Sequence, residues 1–273
     1  STAPRILNYK AVPVITPYLD DGTSGAGNPA PLRGGIAYEG VKTRGSGFLL
    51  MPEQAHALIQ KDPRNADCVF PYLTGEDLNQ RPDHSPSRWA IDFHDWPLEK
   101  AKEYPDLLRI VEQRVKPQRL KVKQAAHRKY WWQFANRRPA MYAAIRSLPR
   151  VLVASRVTAH WAPVFFPTQP RTVFSERTIV FALSTWDAFS LLQSTVHELW
   201  ARKYSSTLKS DLNYAQSDCF DTFPFPSTEA MSQLEAIGEA YYRHREAILQ
   251  TYQIGLTECY NRFHDPENQD EDI

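Results

Sequence analysis

Val69–Phe93, VFPYLTGEDLNQRPDHSPSRWAIDF, carries the reading of the fold. Val69-Phe70-Pro71-Tyr72 has strand composition. Thr74-Gly75-Glu76-Asp77-Leu78-Asn79 reads as a tight turn, and Arg88–Phe93 (RWAIDF) alternates with period two, the pattern of a half-buried strand. Further strands are expected at Phe48–Met51, Val151–Ala154, Val164–Phe166, Thr178–Leu183 and Ser210–Ala215, with short strand pieces at Ile6–Leu7 and Val12–Val14. Helices fall between them. Pro52 opens one over 52–60, and Asp62-Pro63-Arg64-Asn65 ends it. Others cover Pro97–Tyr104 and Asp106–Val115, a basic helix runs over about 118–135, and Pro139 starts a short one. The basic helix carries Leu120, His127, Trp131 and Phe134 on one stripe. A helix over 185–203 is expected to bury Phe189, Leu192, Val196 and Trp200. From Ser227 to about Tyr252 a long amphipathic helix has a stripe of Met231, Leu234, Ile237, Tyr241, Ile248 and Tyr252. Strands and helices interleaved in this way predict an α/β (α+β) fold with a mixed sheet. Thr222-Phe223-Pro224-Phe225-Pro226 suits neither helix nor central strand, so a boundary is expected there. That gives one domain over 1–226 and a helical region over 227–273 ending in an acidic tail.

The chain has 273 residues, enough for one large domain or two modest ones, and is 42% hydrophobic, which excludes wholesale disorder. No apolar run is long enough to span a membrane, and the N-terminal STAPRILNYK lacks the apolar region of a signal peptide. Cys68, Cys219 and Cys259 lie far apart in no CxxC spacing, which points to buried thiols in a reducing compartment.

The formal net charge of +1 hides a polarity. Residues 101–150 hold 13 Lys and Arg against 3 Asp and Glu, whereas residues 217–273 hold 3 against 12. A basic patch acts locally, within a Debye length of about 8–10 Å, so the total does not exclude a polyanionic partner. Arg114–Arg138 interleaves Lys and Arg with Tyr130, Trp131 and Trp132, a composition suited either to phosphates or to a solvated helix with aromatic residues in the core.

Catalytic signatures are missing. His197-Glu198 begins HExxH, but Ala201 stands where the second His should be, and one His cannot supply the ligands zinc needs. Cys219, Cys259, His244 and His264 match no ligand spacing. No GxSxG, GxGxxG or GxxxxGK[ST] occurs in a strand-to-helix context, and Gly25-Ala26-Gly27 has no buried strand before it. Asn28-Pro29-Ala30-Pro31 lacks the aromatic residue that would stack on a flipped base. Asp92, His94 and Asp95 cluster at a strand end, either as a strand cap or as an acid/base group.

Several stretches in order carry a resemblance: Gly45–Phe48 (GSGF), Phe70–Asn79, Ser87–Phe93, Val115–Arg119 (VKPQR), Trp131-Trp132, Gln193–Trp200 (QSTVHELW), Asp218–Pro226 (DCFDTFPFP) and Leu256–Pro266 (LTECYNRFHDP). Together they resemble the region C-terminal to the catalytic domain in large adenine-N6 DNA methyltransferases, including bifunctional type II (IIG/IIL) restriction–modification enzymes. The PYLTGEDLN…RWAIDF unit is also similar to the specificity domain of TaqI-type methyltransferases. The resemblance implies a target recognition domain plus the start of a helical C-terminal region. Its partners would be double-stranded DNA and the methyltransferase domain of the same polypeptide, in a cytoplasmic, prokaryotic, DNA-associated setting. S-adenosylmethionine would belong to that other domain, with no cofactor, metal or catalytic residue in this chain. The missing motifs would then lie upstream of residue 1.

Recognition residues follow from chemistry rather than from a motif. Base readout is expected from Arg156, Gln169, Arg171 and Arg177 in the loops around 155–177, and from Arg81 beside the 74–79 turn. Phosphate contacts are expected from Lys116, Arg119, Lys121, Lys123, Arg128, Lys129, Arg137 and Arg138. Two other readings stay open at this level: a protein-interaction module that docks its basic middle segment on an acidic surface, and a stand-alone hydrolase built on Asp92, His94 and Asp95.

Overall fold

A computed structural model describes residues 6–7, 10–11, 29–208, 211–268 and 270. The expected piece at Val12–Val14, Gly25–Gly27 and residues 269 and 271–273 of the acidic tail lie outside the described residues.

The fold is α+β, with open sheets flanked by helices. A first four-stranded sheet has the order Val173–Phe174, Val69–Leu73, Arg88–Ile91, Leu49–Leu50. Its first pair is parallel and the others are antiparallel. A second sheet is wholly antiparallel, in the order Ala37–Glu39, Thr178–Phe181, Arg150–Ser155, Val164–Pro167. A small third sheet joins Ser206–Leu208, Asp211–Asn213 and Val157–Thr158. Each four-stranded sheet has its own core. Phe48, Leu50, Ile91, Phe93, Leu107, Val111, Trp131, Trp132 and Phe134 pack with the first. Leu152, Val153, Trp161, Phe181, Phe189, Leu192, Tyr214 and Phe220 pack with the second. Tyr242, Ile248, Leu249 and Tyr260 share that second core, where the helix Glu235–Tyr252 packs on the helix Trp186–Gln193.

Four local readings are corrected. Residues 74–79 are not a turn but the start of a helix, Gly75–Gln80. Thr74 Oγ1 accepts from Asp77 N–H at 3.1 Å and the Asp77 carboxylate accepts from Thr74 N–H at 2.9 Å, a capping box that starts a helix where the composition suggested a reversal. The basic helix over 118–135 is two short pieces, Lys116–Arg119 and Ala125–Lys129. Consecutive positions on a helix point about 100° apart. Leaving the helix before residue 131 lets Trp131 and Trp132 both enter the core, while Leu120 is exposed.

The helix over 185–203 breaks at Ser194, whose backbone is extended (ψ 148°) and whose Oγ caps the next helix by accepting from His197 N–H. The second piece, Thr195–Tyr204, therefore buries His197 and turns Val196 outward. Residues 227–252 form Thr228–Ser232 and Glu235–Tyr252, and the buried face of the latter is Gly238, Tyr242, Arg245, Ile248 and Leu249 rather than the Ile237–Tyr241 stripe. Gly238 sets that face. A Cβ there would lie 2.4 Å from the Trp186 carbonyl oxygen, so only glycine lets the helix approach Trp186–Gln193 this closely.

Candidate nucleic-acid interface

The register of the second sheet brings distant residues to one end. Thr178 pairs with Ser155 and Ile179 with Glu39, so Arg156, Arg177 and Glu39 share an edge. Arg156 N–H donates to the Arg177 carbonyl at 2.7 Å. The helix Gly75–Gln80 abuts the same edge, and a Cβ on Gly75 would lie 2.5 Å from Ser155 Oγ and 2.9 Å from the Arg177 carbonyl oxygen. Gly75, Glu76, Asn79, Gln80, Ser155 and Arg177 line one shallow cavity there. Two of the stretches expected to read bases, 155–177 and 74–81, thus meet in space. Arg177 and Arg81 are exposed. Arg81 Nε donates to Ser85 Oγ at 2.9 Å.

Gln169 and Arg171 lie elsewhere, in a cavity of about 520 Å³ with Asp92, His94, Asp95, Arg137 and Arg146 among its walls. Gln169 is exposed. Arg171 is not free for a base edge. Nη2 donates to the buried Asp92 carboxylate and Nη1 to His94 Nδ1 at 3.1 Å, while the guanidinium lies between the rings of Phe70 and Tyr142, 4.8 and 4.4 Å from their centroids.

The three residues of the hydrolase reading do share this cavity. His94, however, has both ring nitrogens engaged. Nε2 faces the Asp67 carbonyl oxygen at 3.0 Å and must donate to it, which leaves Nδ1 to accept from Arg171. Asp92 accepts from Arg171 and, through Oδ1, from His94 N–H at 2.9 Å. With Asp92 and His94 bound to each other and to Arg171, only Asp95 keeps an exposed carboxylate, 3.9 Å from Arg137.

The basic segment divides in the same way. Arg119 is 1% exposed, and its Nη2 donates to the Thr43 carbonyl at 2.6 Å. In this fold it cannot reach a phosphate, which corrects that expectation: the break after residue 119 turns it inward. Burial pushes its pKa below the usual guanidinium value, with nearby Arg44 adding to the effect. Lys116 pairs with Glu112 at 2.7 Å and faces the Trp131 ring. Arg128 caps the Val122 and Lys123 carbonyls at 2.7 and 2.8 Å, holding its own loop together. Lys121, Lys123 and Lys129 are exposed, and Lys129 lies over the Tyr130 ring. Arg137 and Arg138 precede the helix Pro139–Ile145; Arg138, in a left-handed backbone conformation (φ 53°), pairs with Glu39.

Glu39, Lys42 and Arg146 were missed by sequence reasoning. Glu39 and Lys42 stand in a glycine-rich stretch with no motif, and only the strand pairing reveals their place. No group of three or more metal-binding side chains converges among the described residues, and His197, begun as HExxH, is fully buried with Nε2 2.9 Å from Tyr214 Oη. All three thiols are free and buried. Among the described residues no helix is long and apolar enough to cross a membrane.

The family described as the target recognition domain of MmeI matches residues 36–227. The solved type IIL restriction–modification enzyme MmeI, in complex with DNA, superimposes with a TM-score of 0.71 at 20% identity; the match covers 96% of this chain but 34% of that one, so the chain spans about a third of its length. The type IIG restriction endonuclease BpuSI matches with a TM-score of 0.39 at 14% identity, over 74% of this chain and 25% of that one. No curated protein matches.

Proposed function

The chain belongs to the family of MmeI target recognition domains, and on that footing we propose that it reads a specific sequence in double-stranded DNA for a larger restriction–modification enzyme that methylates adenine at N6. The observation that carries this reading is the meeting of Arg156, Arg177 and the helix Gly75–Gln80 at one end of the second sheet. Guanidinium groups and amide side chains held on a rigid strand end suit the donor and acceptor pattern of a major groove. Arg138 stands beside that edge through Glu39, and with Lys116, Lys121, Lys123, Arg128, Lys129 and Arg137 it is assigned the phosphate contacts, which set register without reading sequence.

Base readout is assigned to Arg156, Arg177, Gln169 and Arg81, while Arg171 braces the cavity wall. The division of labour is one of position. This chain holds and reads the duplex, and a methyltransferase domain takes the flipped adenine and binds S-adenosylmethionine. The lining of the cavities of about 520 and 430 Å³ supports assigning that cofactor to the other domain. No glycine lines either one, and Asp92, the carboxylate at a strand end, is closed by Arg171.

Fluorescence anisotropy against a labelled duplex at several salt concentrations tests the reading. The log–log salt slope is expected to be about −0.9 per phosphate neutralised, and Lys121→Glu or Arg128→Glu to reduce it by about 1–2 units. A slope of zero would refute phosphate binding. Displacement of the duplex by polyglutamate at equal affinity would favour the protein-interaction reading instead.

A further inference from the structure

Glu39 ends the edge strand Ala37–Glu39, and its side chain is 11% exposed. Both carboxylate oxygens are occupied. Oε1 accepts from Arg156 Nη1, and Oε2 accepts from Arg138 Nη2 and from Lys42 Nζ at 3.0 Å. Three cations around one carboxylate leave a formal excess of two positive charges, so Glu39 does not neutralise the patch. What it does is fix where the cations point. Arg138 is held a second time, Nε donating to the Gly40 carbonyl at 3.0 Å and its backbone N–H to Asn136 Oδ1 at 3.2 Å. The Arg156 backbone is fixed on both sides: its N–H donates to the Arg177 carbonyl, and its carbonyl accepts from Tyr214 N–H at 2.8 Å. The Arg156 side chain is 34% exposed, and among the described residues its remaining guanidinium donors have no protein acceptor.

We propose that Glu39 is the positioning residue of DNA readout: it presents Arg156 in one orientation to a base edge and tethers Arg138 and Lys42 beside it for the flanking phosphates. The proposal rests on the reading that this chain binds DNA. Its physical content is a conflict of signs. A carboxylate at a DNA-facing surface repels phosphates and lowers affinity for any sequence. The same carboxylate restricts a flexible guanidinium to one geometry, and a bidentate contact to guanine discriminates only when its fork is aligned. Glu39 therefore lowers general affinity and raises discrimination, whereas a residue with a merely structural part would lower both when changed.

The test uses the full chain with two probes: a duplex library with a randomised core, selected and sequenced, and one fixed duplex outside the selected sequence. Glu39→Gln is expected to bind the fixed duplex about 3-fold more tightly at low salt, from the loss of one repulsive charge several ångströms from the backbone. It should also lose at least about 5-fold in discrimination at one or two adjacent positions of the selected site. Arg156→Lys, which keeps the charge but loses the fork, should lose the same positions, and the double variant should lose no more than either single one. Glu39→Asp retracts the carboxylate by one methylene at constant charge. It should lose discrimination with fixed-duplex affinity within about 2-fold of the parent, which keeps the test open should the glutamine variant not fold.

Unchanged discrimination in both Glu39 variants would overturn the proposal, as would losses at positions different from those of Arg156→Lys. A parent chain that binds no duplex would overturn the DNA reading itself.

Discussion

His197 gives the domain a built-in acid sensitivity whose size can be worked out. It is 0% exposed, with Nε2 2.9 Å from Tyr214 Oη and Nδ1 without a partner among the described residues. Burial pushes its pKa down to about 3, and Arg33 adds a smaller effect of the same sign. In the unfolded chain the group titrates near its ordinary value of about 6.5. The folded state therefore binds fewer protons than the unfolded state between those two values. Stability is complete above about pH 6.5 and falls as pH drops toward 3. At pH 5 the unfolded state has gained about 2 kcal/mol from protonating this one group, and for a chain of this size that lowers Tm by about 4 °C.

His84, pushed down to about 4 chiefly by burial, acts in the same direction. Asp221, raised by burial, acts against it. Comparison with His197→Phe cancels both. Phenylalanine suits the ring cage of Trp161, Tyr214 and Phe223, whose centroids lie 5.9, 5.9 and 4.7 Å away, and gives up one hydrogen bond worth about 1 kcal/mol. Thermal unfolding of both proteins from pH 7.5 to 5 should show the variant losing about 2 kcal/mol less than the parent. Parallel curves would refute the account. Loss of DNA binding near pH 5 would then track unfolding, with the same pH dependence as the thermal curves.

Arg171→Leu should cost about 2–3 kcal/mol in urea unfolding, because it leaves the buried Asp92 carboxylate unpaired; adding Asp92→Asn should recover part of that, and a double variant no more stable than the single would refute the pairing argument. Gly238→Ala should destabilise by about 1–3 kcal/mol, since its Cβ would lie 2.3 Å from Ser190 Oγ and 2.4 Å from the Trp186 carbonyl oxygen. Gly34→Ala, with nothing within 4 Å, should stay within about 0.5 kcal/mol in the same assay.

Strands were legible where the pattern is local. RWAIDF and Val151–Ala154 announce themselves by alternation or by β-branched content, and both sit in sheets. The helices were legible in place but not in phase. A stripe drawn on one uninterrupted cylinder fails when Ser194 breaks the helix or Gly238 sets the contact, because the buried face is chosen by the partner element and not by hydropathy alone. The same holds for the cations. Sequence identifies an arginine, but the carboxylate that engages it is set by the fold: Arg156 meets Glu39 across 117 residues, and Arg171 meets Asp92 across 79.

Formal charge therefore overstates what the basic segment can offer a polyanion. Arg119 is inside, Arg109 pairs with Asp106, Lys116 pairs with Glu112, and Arg138 is held by Glu39. An exposed pair such as Lys116–Glu112 is weak and can be exchanged for a phosphate at a cost of about 1 kcal/mol or less, whereas a buried guanidinium cannot. The salt slope should accordingly follow the number of exposed cations, with Lys121, Lys123 and Lys129 contributing most fully and Arg119 not at all.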